Sequence, residues 1–160
     1  MKLAKQKKIS NWLKGLDILL SLMVLTFFVG VTYAKLNIPD LSYRIESANV
    51  FLIFAWIVAI CIFVVLFEFW KVCTQIGMDN SFSIENSEYF HHMTISGVVA
   101  AITFLGRIIW ILIAQEVNIM SILIIAVEII LSLMFAVLAE AMSKLILNAY
   151  EMKHENDLTI

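Results

Sequence analysis

Four long apolar stretches occupy most of this 160-residue chain, and they leave few choices of fold. A helix that crosses a bilayer needs about 20 mainly apolar residues. Ala48 to Phe67 is an uncharged run of that kind. Ile18 to Ala34, Met93 to Ala114 and Val117 to Ala139 are the others, with Arg107 interrupting the third and Glu128 the fourth. The runs are continuous rather than alternating, which fits helices and not barrel strands. Composition agrees, at 62% hydrophobic and 15% charged, where a soluble domain has about a quarter of its residues charged. The chain is therefore expected to be all-α and polytopic. Four transmembrane helices, over about 16–34, 48–69, 94–114 and 117–140, would form an antiparallel bundle. The bundle would be a single domain over 1–160, with helices three and four extended into the cytoplasm and the lipid bilayer as its first partner.

Lysine and arginine near helix ends set orientation. Lys2, Lys5, Lys7, Lys8 and Lys14 precede the first span, Lys71 lies near the second connection, and Lys144 and Lys153 follow the fourth span. The other side has only Lys35 and Arg44. Both termini and the loop around Met78 are thus expected in the cytoplasm of a bacterial cell, with the protein in the cytoplasmic (inner) membrane. The loop from Lys35 to Ser47 and a tight turn at Gln115–Glu116 would face outward. A cleaved signal peptide is the competing reading of the first span, with Thr32-Tyr33-Ala34 as the cleavage site, but the apolar core exceeds the usual length of about 7–15 residues.

Local signals place the ends of the helices. Ser10 or Asn11 can cap the first, Pro39-Asp40 reads as a turn, and Gly77 can end the second in a left-handed conformation. Ser83 can cap the third, with Glu85 in its first turn. Cys61 falls within the membrane and Cys73 at its cytoplasmic side, so no disulfide is expected. A net charge of −2, with lysines clustered only at the N-terminus, gives no nucleic-acid footprint. No metalloprotease, nucleophile-elbow or phosphate-loop pattern is present in the sequence, so neither an enzyme nor a cofactor is expected.

Most acidic residues near the membrane have a nearby lysine on the same helix face: Asp17 with Lys14, Glu68 with Lys71, Glu140 with Lys144. Arg107 and Glu128 sit deeper. A charge at mid-bilayer costs at least ~2.5–3.5 kcal/mol and persists only if paired, hydrated or used. Arg107 lies about nine residues before the centre of the outer turn and Glu128 about twelve after, a depth mismatch of only a few ångströms. An arginine spans that distance, and its planar fork suits a carboxylate. Ser96, Ala100 and Thr103 recur at helical spacing before Arg107, as do Ser121 and Ser132 around Glu128. Small and hydroxylated stripes let membrane helices approach closely and bond across the gap. Helices three and four are therefore expected to pack by these stripes, with Arg107 and Glu128 forming an intramembrane ion pair. Such a pair can fix the packing, serve a proton or ligand, or meet another subunit. His91 and His92, being adjacent, point apart on a helix and suit one metal ion poorly; a solvated headgroup position is expected, and no metal.

Two segments carry a family resemblance: Phe82-Ser83-Ile84-Glu85-Asn86 at the entry to helix three, and Glu155-Asn156-Asp157-Leu158-Thr159-Ile160 at the C-terminus. With four spans in about 160 residues, they resemble the bacterial membrane proteins of domain-of-unknown-function family 2975. Members typically show a Phe-Ser/Thr-x-Glu-Asn entry and an Asp-Leu-Thr-Ile/Val end. Here acidic and histidine residues (Glu88, His91, His92) follow Asn86, where basic ones are expected. The resemblance implies no chemistry. Members are often encoded beside small helix-turn-helix regulators, which implies a regulatory partner at the membrane. The leading expectation is a non-enzymatic inner-membrane sensor or regulator. It would bind a cytoplasmic protein partner, such as one of these regulators, through Phe82, Ser83, Glu85 and Asn86 and through Asp157, Leu158, Thr159 and Ile160. One alternative is a small transporter or channel subunit built on Arg107 and Glu128, which needs a homo-oligomer because four helices make a thin wall. Another is immunity to a membrane-active peptide through the outer loop.

Overall fold

The computed structural model describes the backbone at residues 2–37, 48–115 and 117–158. The Pro39-Asp40 turn, Glu116, Thr159 and Ile160 lie outside the described residues, as do the side chains of Asp157 and Leu158. The described residues form four helices and no strand: α1 (Lys2–Asn37), α2 (Ala48–Gly77), α3 (Ile84–Ile113) and α4 (Ile119–Leu158). Each is long and apolar enough to cross a membrane, α2 being the most apolar with a mean hydropathy of 3.3 over its best window.

The helices pack in chain order, α1 on α2, α2 on α3 and α3 on α4, the last interface being the most extensive. No other pair makes a comparable interface among the described residues. Polar contacts join Ser10 to Cys73 and Thr32 to Trp56 between α1 and α2, Glu68 to His92 between α2 and α3, and Ser87 to Ser143 and Arg107 to Glu128 between α3 and α4. Large side chains such as Leu22, Phe27, Ile60, Ile102 and Leu138 point outward, while Ala59, Ala100, Ala101, Ala136 and Ala139 are buried between helices. This is the logic of helices in lipid. Hydrocarbon covers the bulky residues as well as a neighbouring helix would, so the interface goes to small residues that let backbones approach. Gly97 is the clearest case: a Cβ there would lie 3.1 Å from Ala136 Cβ and 3.2 Å from the Ser132 carbonyl oxygen. The buried positions of α4, at 125, 136, 139, 143 and 146, keep a three-and-four spacing, and those of α3, at 86, 87, 93, 96, 97, 100, 101 and 111, form a wider stripe with the same repeat. That spacing is the seam of two helices crossing at a shallow angle.

Three helix ends differ from the sequence expectation. α1 begins at Lys2, not near Ser10, because the lysine-rich start favours helix. Ser10 is buried within it and donates a 2.5 Å hydrogen bond to the Cys73 carbonyl of α2. Gly77 is not a left-handed cap. It is the last residue of α2 and lets α1 come close, since a Cβ there would meet Ser10 Oγ at 2.9 Å. The left-handed position is Asp79, at φ 60°. The Asn80 N–H reaches back to the Gln75 carbonyl and the Asp79 N–H to that of Ile76, the paired bonds that close a helix C-terminus. The Gln6 side-chain amide donates to the Asp79 carboxylate, tying the start of α1 to this turn. α4 runs on through Leu158, well past the expected span end near 140.

Candidate functional site

Polar groups gather at two levels of the helix row. The first contains the expected pair. Arg107 of α3 and Glu128 of α4 face one another, with Arg107 Nη1 3.9 Å from Glu128 Oε2. This is a single long contact rather than the bidentate fork the residue types allow. The guanidinium also lies over the Phe51 ring of α2, 4.8 Å from its centroid. Lys35 of α1 stands over the same ring at 4.6 Å, so one aromatic side chain takes two cations from two helices. Glu128 Oε2 is buried with no hydrogen-bond partner among the described residues.

The packing stripe is met in part. Ser96 and Ala100 are buried, whereas Thr103, Ser121 and Ser132 are half-buried. The hydroxyls of Ser96, Thr103 and Ser132 do not cross the gap: each donates to the carbonyl four residues earlier on its own helix, at 3.1, 2.8 and 2.8 Å. A helix offers that acceptor at no cost in distance, so a lone hydroxyl folds back on it. The hydroxyls that do cross are Ser87 and Ser143. Their oxygens are 3.0 Å apart, and Ser143 donates to the Ser87 carbonyl at 2.7 Å. The buried face of α3 takes in Met93, Gly97 and Ala101 beside the expected Ser96 and Ala100. The crowding at Gly97 is a signal present in the sequence that a search for hydroxyls passes over.

The second level was not expected as a unit. His92 Nδ1 is 3.4 Å from Glu68 Oε1 on α2, and His91 Nδ1 is 3.0 Å from Glu140 Oε2 on α4. Glu68 also accepts from Lys71 at 3.0 Å, and Glu140 lies 3.6 Å from Lys144. The Lys71 ammonium sits over the rings of Phe67 and Tyr89, at 4.5 and 5.1 Å. The angle between neighbouring side chains that makes His91-His92 unsuited to one ion lets the two reach different helices. The histidines are both exposed, as expected, and they also form a belt that joins α2, α3 and α4. Among the described residues, no group of three or more His, Cys, Asp or Glu could hold a metal ion. Cys61 and Cys73 are free and buried.

The residues expected to face a partner divide. Ser83 and Asn86 turn inward, at 3% and 1% exposure. Ser83 Oγ accepts from the Asn86 N–H at 3.3 Å as the N-cap of α3, and the Asn86 amide donates to the Ser81 carbonyl at 2.9 Å. Their shared role is to close the α2–α3 connection, which accounts for the Ser and Asn of the entry motif. Phe82 and Glu85 face outward. Asp157 and Leu158 continue the α4 helix.

Four helices of this length and hydropathy define a multi-pass membrane protein. The chain belongs to the family described as proteins of unknown function, DUF2975, whose model matches residues 18–160. No curated protein and no solved structure matches it.

Proposed function

We propose that the chain is a non-enzymatic protein of a bacterial cytoplasmic membrane that binds a cytoplasmic protein partner as a sensor or regulator. In this reading the helices form an antiparallel set, with both termini and the ends of α3 and α4 in the cytoplasm. The observation that carries it is the length of α4. Its 40 residues extend about 60 Å, twice the ~30 Å of bilayer hydrocarbon. Past Ala139 the helix becomes charged, with Glu140, Lys144, Glu151 and Lys153. Near the same end, Met78 and Phe82 leave 65% and 59% of their surface open, the kind of apolar anchor that a protein interface buries. Removal of residues 155–160, alone and with Phe82→Ser, followed by crosslinking and capture from membranes, tests this surface. Loss of a specific partner is expected; an unchanged set of captured proteins would count against it.

A second reading, a transporter or channel subunit working as a homo-oligomer, is favoured by one observation: Glu128 Oε2 is buried without a hydrogen bond among the described residues. An intramembrane carboxylate in that condition suits a proton or substrate pathway. Proton flux into liposomes that is lost in Glu128→Gln but kept after the truncation would select this reading.

A further inference from the structure

α1 stands at one end of the helix row, and its one extensive interface among the described residues is with α2. Ser10 and Asp17, both buried, mark the side turned toward α2. At 3.6 residues per turn, Lys5, Lys8 and Trp12 fall on the opposite side. The two lysines are exposed there, and Trp12 leaves 67% of its surface open. Lys14 lies 5.0 Å over the Trp70 ring of α2, so tryptophans of two helices stand close to one level, as they do where hydrocarbon meets headgroups. Lys8 and Lys5 follow about 6 and 10 Å farther along the helix, and their long side chains reach the headgroup layer from there. In the other direction from Trp12, the same side of α1 becomes an apolar groove of about 710 Å³. It runs from Leu19 to Ala34, 15 residues or about 22 Å. Thr26 brings its one hydroxyl, which already donates to the Leu22 carbonyl.

Cations, then an interfacial indole, then an apolar track follow the order of groups in one phospholipid. The lysines decide which kind. Residues 2–16 hold five lysines and no acid. Lys71 and Lys144 have carboxylates on their own helices, whereas no carboxylate pairs with Lys5 or Lys8 among the described residues. A choline headgroup brings its own cation and leaves that charge unanswered. A headgroup with a phosphate and no amine answers it. We propose that the side of α1 turned from α2 binds an anionic phospholipid, with its phosphate at Lys5 and Lys8, its glycerol beside Trp12 and an acyl chain along the groove from Leu19. The inference does not rest on the cytoplasmic docking reading, whose surface is the far end of α4 with Met78 and Phe82.

The test uses the full chain in phosphatidylcholine nanodiscs doped with one of two photoreactive probes. These are phosphatidylglycerol and phosphatidylcholine, each with a diazirine in the same acyl chain. The phosphatidylglycerol probe should label residues 19–34 saturably and about tenfold more than its choline counterpart, and unlabelled phosphatidylglycerol should chase it. Lys5→Gln together with Lys8→Gln should bring its labelling down to the choline level. Lys153→Gln, at an exposed lysine near the other end of the chain, should change nothing. Thr26→Trp fills the groove from a lipid-facing position and should remove the label from α1. Equal labelling by the two probes would overturn the proposal by marking an ordinary lipid shell. A preference kept in the double lysine variant would overturn it by placing the headgroup elsewhere. Labelling lost when two chains are loaded per disc would overturn it by marking a subunit interface.

Discussion

Gly97 and Gly30 are both glycines within membrane-spanning helices, yet their surroundings differ. A Cβ at Gly30 meets nothing within 4 Å, whereas one at Gly97 meets the backbone and side chains of α4. Gly97→Leu should therefore force α3 and α4 apart and cost about 1–3 kcal/mol, as overpacking does. Gly30→Ala should be neutral or slightly stabilising, since alanine is the better helix former. Midpoints of denaturation in mixed micelles would measure both. The Ser87–Ser143 pair invites a double-mutant cycle. Each alanine variant should cost about 0.5–1.5 kcal/mol, as a lost hydrogen bond does. The double variant should cost close to the sum, because each hydroxyl has its own acceptor across the gap, Ser87 on the Ser143 carbonyl and Ser143 on the Ser87 carbonyl. A double variant no worse than either single one would mean that neither bond survives without the other.

The helices themselves were legible in the sequence because each apolar run is about as long as a bilayer requires, and nothing but lipid could cover it. Their ends were less so. The residue that turns the chain after α2 is Asp79 and not Gly77, since the glycine is needed for the approach of Ser10. Local propensity names a residue able to take a left-handed conformation, but it does not see the neighbouring helix. The turn after α3 repeats the lesson, with Gln115 at φ 57°. A β-branched residue fits that conformation poorly. Gln115→Val should cost about 1–2 kcal/mol and Gln115→Gly should cost nothing or stabilise slightly. Asn118 starts α4 by accepting from the Met120 N–H at 3.0 Å, and Asn118→Ala should cost about 1 kcal/mol as a lost cap. Thermal melts of the three variants would check these values. Within the site, depth counting brought Arg107 and Glu128 to the same level, but the belt through His91 and His92 escaped. Each of its acids already had a lysine on its own helix, and that local partner hid the one across the interface.

At the scale of the molecule, the packing is serial. α1 touches chiefly α2, and the seam between α3 and α4 lies away from it. A disulfide between Ser87→Cys and Ser143→Cys, in a background with Cys61 and Cys73 replaced by alanine, should form readily, because the native oxygens are 3.0 Å apart. It should form as readily when residues 1–37 are removed. A crosslink lost on that removal would show that α1 holds the distant seam in place. Gln6 ties the start of α1 to Asp79 in the α2–α3 turn, beside the contacts that α1 makes along α2.

The forty-residue rod of α4 has a mechanical corollary. From Glu128 to Leu158 is 30 residues, about 45 Å of uninterrupted helix. Pivoting that shaft by about 5° at the depth of the carboxylate would swing its far tip by about 4 Å, so a small tilt at the carboxylate becomes a stroke of more than a hydrogen-bond length at the end of the helix.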